Sequence, residues 1–234
     1  MNAQTIVNGA DWERARKALL AKEKELTQAR DALSEARRAL PWERVEKRYA
    51  FDGPAGEITL QDLFQGRSQL VVYHFMFGPD ATAGCKACSF WADNFERNVV
   101  HLAHRDVTLA AVSRAPVEKL VAFQKRLGWT FPWVSSGRSD FNFDYHVSFE
   151  QGRGAATYNY APKTGGATEL PGISVFARGE GGAVFHTYST YGRGLDMMNT
   201  AYNYLDLVPR GRDEKELPNT MAWLRLRDQY DEKA

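Results

Sequence analysis

The sequence predicts an α/β fold around a buried sheet, preceded by a long N-terminal amphipathic helix. Three observations carry this. The run from Leu70 to Phe77 is almost continuously apolar, as in a central strand covered on both faces. Behind it, Cys88, Trp91, Phe95, Val99 and Leu102 recur at helical spacing. The alternation then repeats, so the order strand, helix, strand, helix, strand predicts right-handed crossovers and a mainly parallel sheet flanked by helices.

In chain order, Trp12, Leu19, Leu26, Leu33 and Leu40 lie seven residues apart, with Ala15, Ala29 and Ala36 in the small-residue row that Lys22 interrupts. This is a helix with a narrow large-small seam, suited to packing or to dimerisation, and Pro41 stops it. Tyr49–Phe51 and Ile58–Leu60 around Asp52-Gly53-Pro54 form a hairpin, and Asp62-Leu63-Phe64 a helical turn. After the first central strand and its helix, Asp106–Ser113 is the next strand. Pro116 opens a helix over Val117–Leu127 that Gly128 closes, and Phe131–Val134 is a short extended piece. A Gly- and Tyr-rich insertion covers about 137–169, with a strand or short helix near Phe143–Phe149. Ile173–Ala177 and Ala183–Tyr188, joined by a turn at Gly179–Gly182, read as an antiparallel hairpin. Helices are expected over 195–207 and from Asn219, a candidate cap, to about Tyr230. The organisation predicted is a helix over 1–43, a core domain over 44–210 with its insertion, and a tail or helix over 211–234.

Bulk properties narrow the function classes. Thirty basic and 29 acidic side chains among 234 residues leave a net charge of +1, which points to neither nucleic acid nor an anionic membrane as a partner. No apolar run approaches the roughly 18 to 20 residues of a spanning helix, and Met1–Asp11 lacks a basic-then-apolar leader. A soluble, cytoplasmic protein is expected. In a reducing compartment the only two cysteines, two residues apart in Gly84-Cys85-Lys86-Ala87-Cys88-Ser89, point to catalysis or metal binding.

Cys85 falls at the expected start of a helix, where the dipole and free N–H groups favour thiolate, and Lys86 adds positive charge. Cys88 lies one turn further in, before Trp91 and Phe95. Cys85 is therefore expected to attack a disulfide or peroxide, and Cys88 to resolve the intermediate into an intramolecular disulfide. Two inert buried cysteines are the bland alternative. A metal site would need more ligands than the pair His101 and His104 suggests, so neither metal nor cofactor is expected. His74 reads as a core histidine, and Asp80 as a weak candidate proton acceptor.

The segment with C-x-x-C followed by a proline before a hairpin, Leu170-Pro171-Gly172-Ile173-Ser174, resembles the thioredoxin fold. Four further stretches are more specific: Val72–Pro79, Cys85–Asp93, Val112–Pro116 and Gly128–Ser136. Together they resemble the DUF899 family of thioredoxin-like proteins over roughly residues 10 to 210. The resemblance implies a thioredoxin-like mixed sheet with Cys85 as nucleophile, Cys88 as resolving cysteine, and Pro171 as a cis-proline shaping a substrate groove. It also implies that Trp91 can flank the active-site surface, although its place in the helical stripe makes it a core residue first. A similarity to peroxiredoxins lies in Pro79, Thr82 and Cys85, which nearly reproduce a peroxide-holding element with one residue fewer between Pro and Thr. No arginine precedes the late strand, and Arg114, at the end of the second strand, is the candidate to reach the same edge.

The leading expectation is a thiol–disulfide oxidoreductase cycling between dithiol and disulfide. A peroxiredoxin-like thiol peroxidase and a non-enzymatic binding module are the alternatives. Lys86, Thr82, Trp91 and Arg114 are the expected substrate contacts. The expected partners are a disulfide-bearing protein or a small thiol or peroxide, and a second copy of the chain through the N-terminal helix.

Overall fold

The computed structural model describes residues 4–150 and 152–230, so the ends of the predicted N-terminal helix segment and C-terminal tail lie outside the described residues. The chain divides into two units after Pro41.

The first unit is essentially one helix, α1 (Gly9–Arg38). Asn8 caps it by accepting the Asp11 N–H at 3.0 Å, and Arg37 and Arg38 occupy the last turn, where the dipole favours cations. None of its described residues is buried. Trp12, Leu19, Leu26 and Leu33, the predicted seam, are 60%, 52%, 61% and 50% exposed.

In the second unit, eight strands form one sheet. They are β1 (Glu43–Arg44), β2 (Ala50–Gly53), β3 (Gly56–Thr59), β4 (Gln69–His74), β5 (Val107–Ser113), β6 (Trp133–Ser135), β9 (Gly172–Arg178) and β10 (Val184–Tyr191). Two short strands within the insertion, β7 (Thr157–Tyr158) and β8 (Ala161–Pro162), pair with each other. Helices α2 (Lys86–Phe95), α3 (Val99–Ala103), α4 (Val117–Leu127), α5 (Phe141–Asp144) and α6 (Thr200–Leu205) complete the unit. The strand order is β1-β10-β9-β4-β5-β6-β2-β3. Only β4–β5 and β5–β6 pair in parallel. The sheet is therefore the mixed one that the resemblance implies, and less parallel than the alternation of strands and helices alone suggests. Crossovers through α2, α3 and α4 deliver the parallel strands, while the hairpins β2–β3 and β9–β10 flank them with antiparallel pairs. This is the thioredoxin-like arrangement, with the dithiol segment following the central strand β4.

Both sheet faces are covered. Tyr73, Phe75, Phe95, Phe123, Trp129 and Trp133 form one core with Cys88. Phe51, Phe64, Leu70, Val72, Phe141 and Phe176 form the other. This two-sided burial is why β4 lacks strict alternation.

Two helix expectations need correction. The stripe from Cys88 to Leu102 is not one helix, because the chain turns between α2 and α3. Asn94 and Asn98 there donate side-chain hydrogen bonds to the Phe90 and Asn94 carbonyls, both at 2.6 Å. Glu96 accepts from the Thr130 N–H and hydroxyl at 2.7 and 2.8 Å, and the local asparagine bonds compete with helix continuation. No long helix follows Asn219 either. Met221 has φ 66°, a left-handed conformation that ends a helix. Its N–H, the Trp223 indole N–H and the Tyr202 hydroxyl all donate to one Glu214 carboxylate oxygen, at 3.1, 2.7 and 2.8 Å. Leu224 and Leu226 are nonetheless buried. No described helix is long and apolar enough to cross a membrane.

His74 is the core histidine expected. Its Nε2 lies 2.9 Å from Ser174 Oγ, and its ring stacks near Tyr145 and Phe141. Burial, with a smaller contribution from nearby His186, pushes its pKa down to about 3. The unfolded chain, titrating near about 6.5, takes up a proton that the folded chain refuses, so this residue makes stability fall as pH drops below that value. At roughly 1.4 kcal/mol per pH unit, on the order of 3 kcal/mol should be lost between about pH 7 and about pH 4. Urea unfolding of His74→Leu across the same range should show a shallower slope by that amount, and an unchanged slope would refute it.

Candidate active site

Cys85 and Cys88 sit where β4 hands over to α2. Beyond His74 the chain stays extended: the Phe75 N–H donates to the Val112 carbonyl at 3.0 Å, and the Ala115 N–H to the Phe77 carbonyl at 2.7 Å. It then loops back, and the Cys85 N–H donates to the Met76 carbonyl at 3.1 Å. The Met76 N–H faces the Cys88 sulfur at 3.4 Å. One residue's backbone thus holds both cysteines. Lys119 ties the loop down through the Pro79 and Ala81 carbonyls at 2.8 and 3.0 Å. Gly84 lets it pass under the rings, since a Cβ there would lie 2.8 Å from Phe75 and 2.9 Å from Phe123.

Cys85 is the N-cap of α2 and half-buried; its carbonyl accepts the Ser89 N–H at 2.9 Å. Its thiol pKa is brought down to about 6. The Cys88 thiol donating to its sulfur contributes most, opposed by burial, and helped by the Cys88 and Ala87 N–H groups and then by Lys86. Cys88 shows the opposite behaviour: burial holds its pKa well above the ordinary thiol range, and the hydrogen bond to Cys85 reinforces this. Tyr73 faces the same sulfur, and burial first, then Cys88, drive the pKa of its phenol up. A thiol that ionises easily and one that holds its proton therefore lie one helical turn apart, and both cysteines are free.

Beside Cys85 opens a cleft of about 520 Å³ lined by Met76, Pro79, Arg114, Phe149 and Glu169, among others. Arg114 lies 4.5 Å above the Phe143 ring and pairs with Glu150 at 2.8 Å, while its buried Nε has no partner among the described residues. Glu169 was not foreseen from the sequence. It stands in an extended segment bridged to Ser148, with its carboxyl against Gly78, and its buried Oε1 also has no partner among the described residues. Burial raises its pKa to about 7; Arg114 opposes this and the Cys85 charge adds to it. The lone sequence hint was an acidic residue next to Leu170-Pro171-Gly172, the entry to a buried strand.

The structure brings Cys85, Cys88 and Arg114 together and disperses the other candidates. Lys86 is exposed, with its Nζ 3.5 Å from the Ala222 carbonyl. Thr82 is exposed and does not line the cleft. Trp91 does not present itself at a surface: it is buried, its indole N–H donates to the Leu195 carbonyl at 2.8 Å, and its place in the α2 stripe commits it to the core. The cis assignment of Pro171 is also corrected, since no peptide bond among the described residues is cis. Its carbonyl accepts the Tyr158 hydroxyl at 2.7 Å. Among the described residues no cluster of His, Cys, Asp and Glu is arranged to hold a metal ion.

A family model described as "Bacterial protein of unknown function (DUF899)" matches residues 1–230. The chain belongs to the DUF899 family. No curated protein matches this DUF899 chain. Solved structures similar to it are peroxiredoxins. Peroxidoxin BcpB from Mycobacterium tuberculosis is 15% identical with a TM-score of 0.45, covering 69% of this chain and 94% of that one. A variant of Xanthomonas campestris Peroxiredoxin Q is 15% identical with a TM-score of 0.43, covering 69% and 98%. A yeast mitochondrial 1-Cys peroxiredoxin is 15% identical with a TM-score of 0.44, covering 71% and 78%.

Because the Cys88 thiol is the main support of the Cys85 thiolate, alkylation of Cys85 as a function of pH should show its midpoint near 6. In Cys88→Ala the midpoint should move up by more than one unit, read by mass spectrometry of the modified peptide. A midpoint that stays put would show that the helix N-terminus alone sets the ionisation.

Proposed function

We propose that this chain is a thiol–disulfide oxidoreductase acting on small disulfides in a reducing, cytoplasmic setting. The observation that carries the reading is a pair of free cysteines at the start of α2, Cys85 lining a cleft and Cys88 buried behind it, with the Cys85 pKa brought down and the Cys88 pKa held up. The Cys85 thiolate attacks one sulfur of the substrate and forms a mixed disulfide, while the other sulfur leaves. Cys88 then attacks Cys85, its proton goes to the second departing sulfur, and a Cys85–Cys88 disulfide remains for an external thiol to reduce. A cleft of about 520 Å³ beside Cys85 matches the volume range of small-molecule sites better than the surface groove a folded protein substrate needs.

Thiol peroxidase activity is the second reading, favoured by Arg114 standing in the cleft of a low-pKa cysteine. There the thiolate would attack one peroxide oxygen as the O–O bond breaks, the other oxygen leaving as water or an alcohol, and Cys88 would condense with the resulting sulfenic acid, releasing a second molecule, water. Stopped-flow mixing with hydroperoxide separates the two, since oxidation of Cys85 no faster than free cysteine leaves only the disulfide reaction.

For the leading reading, Cys88→Ser should accumulate a mixed disulfide between Cys85 and half of a small dialkyl disulfide, visible as a mass adduct. Cys85→Ser should lose turnover. Turnover that survives Cys85→Ser would sink the assignment.

Assembly through α1 is proposed with it, the partner being α1 of a second copy. The seam is exposed along the helix, and Asp11 with Arg16 and Glu25 with Arg30 flank it at the five-residue offset that pairs charges across a parallel coiled coil. Light scattering of the full chain should give twice the chain mass, falling to a single chain in Leu26→Glu/Leu33→Glu. A mass equal in both would dismiss the pairing.

A further inference from the structure

We propose that Glu169 is the proton donor to the sulfur that leaves when Cys85 opens a disulfide, with Arg114 taking up the charge left behind. This rests on the oxidoreductase reading and adds a catalytic residue to it. The geometry is that of one cleft fed by three chain segments. Cys85 comes from the start of α2, Arg114 from the end of β5, and Glu169 from the segment entering β9. A disulfide approached by Cys85 places its departing sulfur in that cleft, where Glu169 is the cleft-lining carboxyl with a buried oxygen that no described group satisfies.

The protonation state fits the role. Arg114 already pairs with Glu150, itself also bound by Arg153 at 3.2 Å, so it lowers the Glu169 pKa without cancelling the effect of burial. The other charged groups facing this carboxyl are Cys85 and, on the loop after β4, Asp80. With a pKa of about 7, Glu169 keeps its proton on about half of the molecules at neutral pH, where an ordinary carboxyl keeps almost none. It is also a stronger acid than an alkyl thiol of about 8.5, so transfer to a departing alkyl thiolate runs downhill.

The step balances. The Cys85–sulfur bond forms as the substrate sulfur–sulfur bond breaks, the departing thiolate takes the Glu169 proton, and the carboxylate that remains faces the Arg114 guanidinium. When Cys88 resolves the mixed disulfide its own proton goes to the second leaving sulfur, and Glu169 is reprotonated from solvent. Two electrons pass from the dithiol to the substrate.

The test compares two substrates whose leaving groups differ in their need for a proton. A dialkyl disulfide expels a basic thiolate, whereas a nitroaryl disulfide expels one that is stable unprotonated. Glu169→Gln should slow reduction of the dialkyl disulfide about 100-fold, the lower end of general-acid effects, and change the nitroaryl rate less than about twofold. The wild-type dialkyl rate should rise through about 6 as Cys85 ionises and fall above about 7 as Glu169 does. The falling limb should vanish in Glu169→Gln. In Glu150→Gln, which frees Arg114 to pair with Glu169, the limb should shift to lower pH. Equal losses on both substrates, no loss on either, or a limb that persists in Glu169→Gln would overturn the assignment while leaving the oxidoreductase reading intact. A wild-type chain that reduces neither disulfide would instead overturn that reading and this one with it.

Discussion

The opposite ionisation of two neighbouring thiols, Cys85 brought down and Cys88 held up, organises the chemistry of the second unit. It works because the two sulfurs are solvated unequally. Cys88 is 2% exposed, packed within an aromatic core and faced by the Tyr73 phenol, so a charge there is costly and the proton stays. Cys85, half-buried at the first turn of α2 and open to a cleft, has its pKa brought down by the neighbouring Cys88 thiol first and by the helix N–H groups after it. The division into nucleophile and resolving cysteine follows from where the proton is cheapest to keep.

The pair is held by backbone geometry. Met76 accepts from the Cys85 N–H and directs its own N–H at the Cys88 sulfur, so the end of β4 fixes both cysteines at once. The loop closing this contact passes so near Phe75 and Phe123 that only glycine fits at position 84. The cleft is polarised by a similar imbalance. Glu150 engages Arg114, and Glu169 is left desolvated with no described hydrogen-bond partner for its Oε1, so a paired guanidinium and a weak acid line the same substrate space.

Much of this scaffold was legible in the residues. The apolar run of β4, the stripe of α2, the Gly128 cap of α4, observed in the left-handed region at φ 61°, and the β9–β10 hairpin are local signals read by local rules. The failures have physical causes that are not local. Trp91 obeys both a helical stripe and a family position, and burial decides between them. Met221 adopts a left-handed backbone because Glu214 gathers three donors around it, which no periodicity reveals. Glu169 is one of 29 acidic residues, and what distinguishes it is desolvation by segments that meet only in the folded chain.

The most direct measurement of the central claim is an equilibrium redox titration in glutathione buffers, quenched by alkylation and read by peptide mass. The expected result is loss of two hydrogens in the peptide holding Cys85 and Cys88. The couple should be two-electron, about 30 mV per tenfold change, with a midpoint between roughly −300 and −120 mV, the range of dithiol oxidoreductases. Accumulation of a glutathione adduct on Cys85 while Cys88 stays alkylatable at every potential would contradict it.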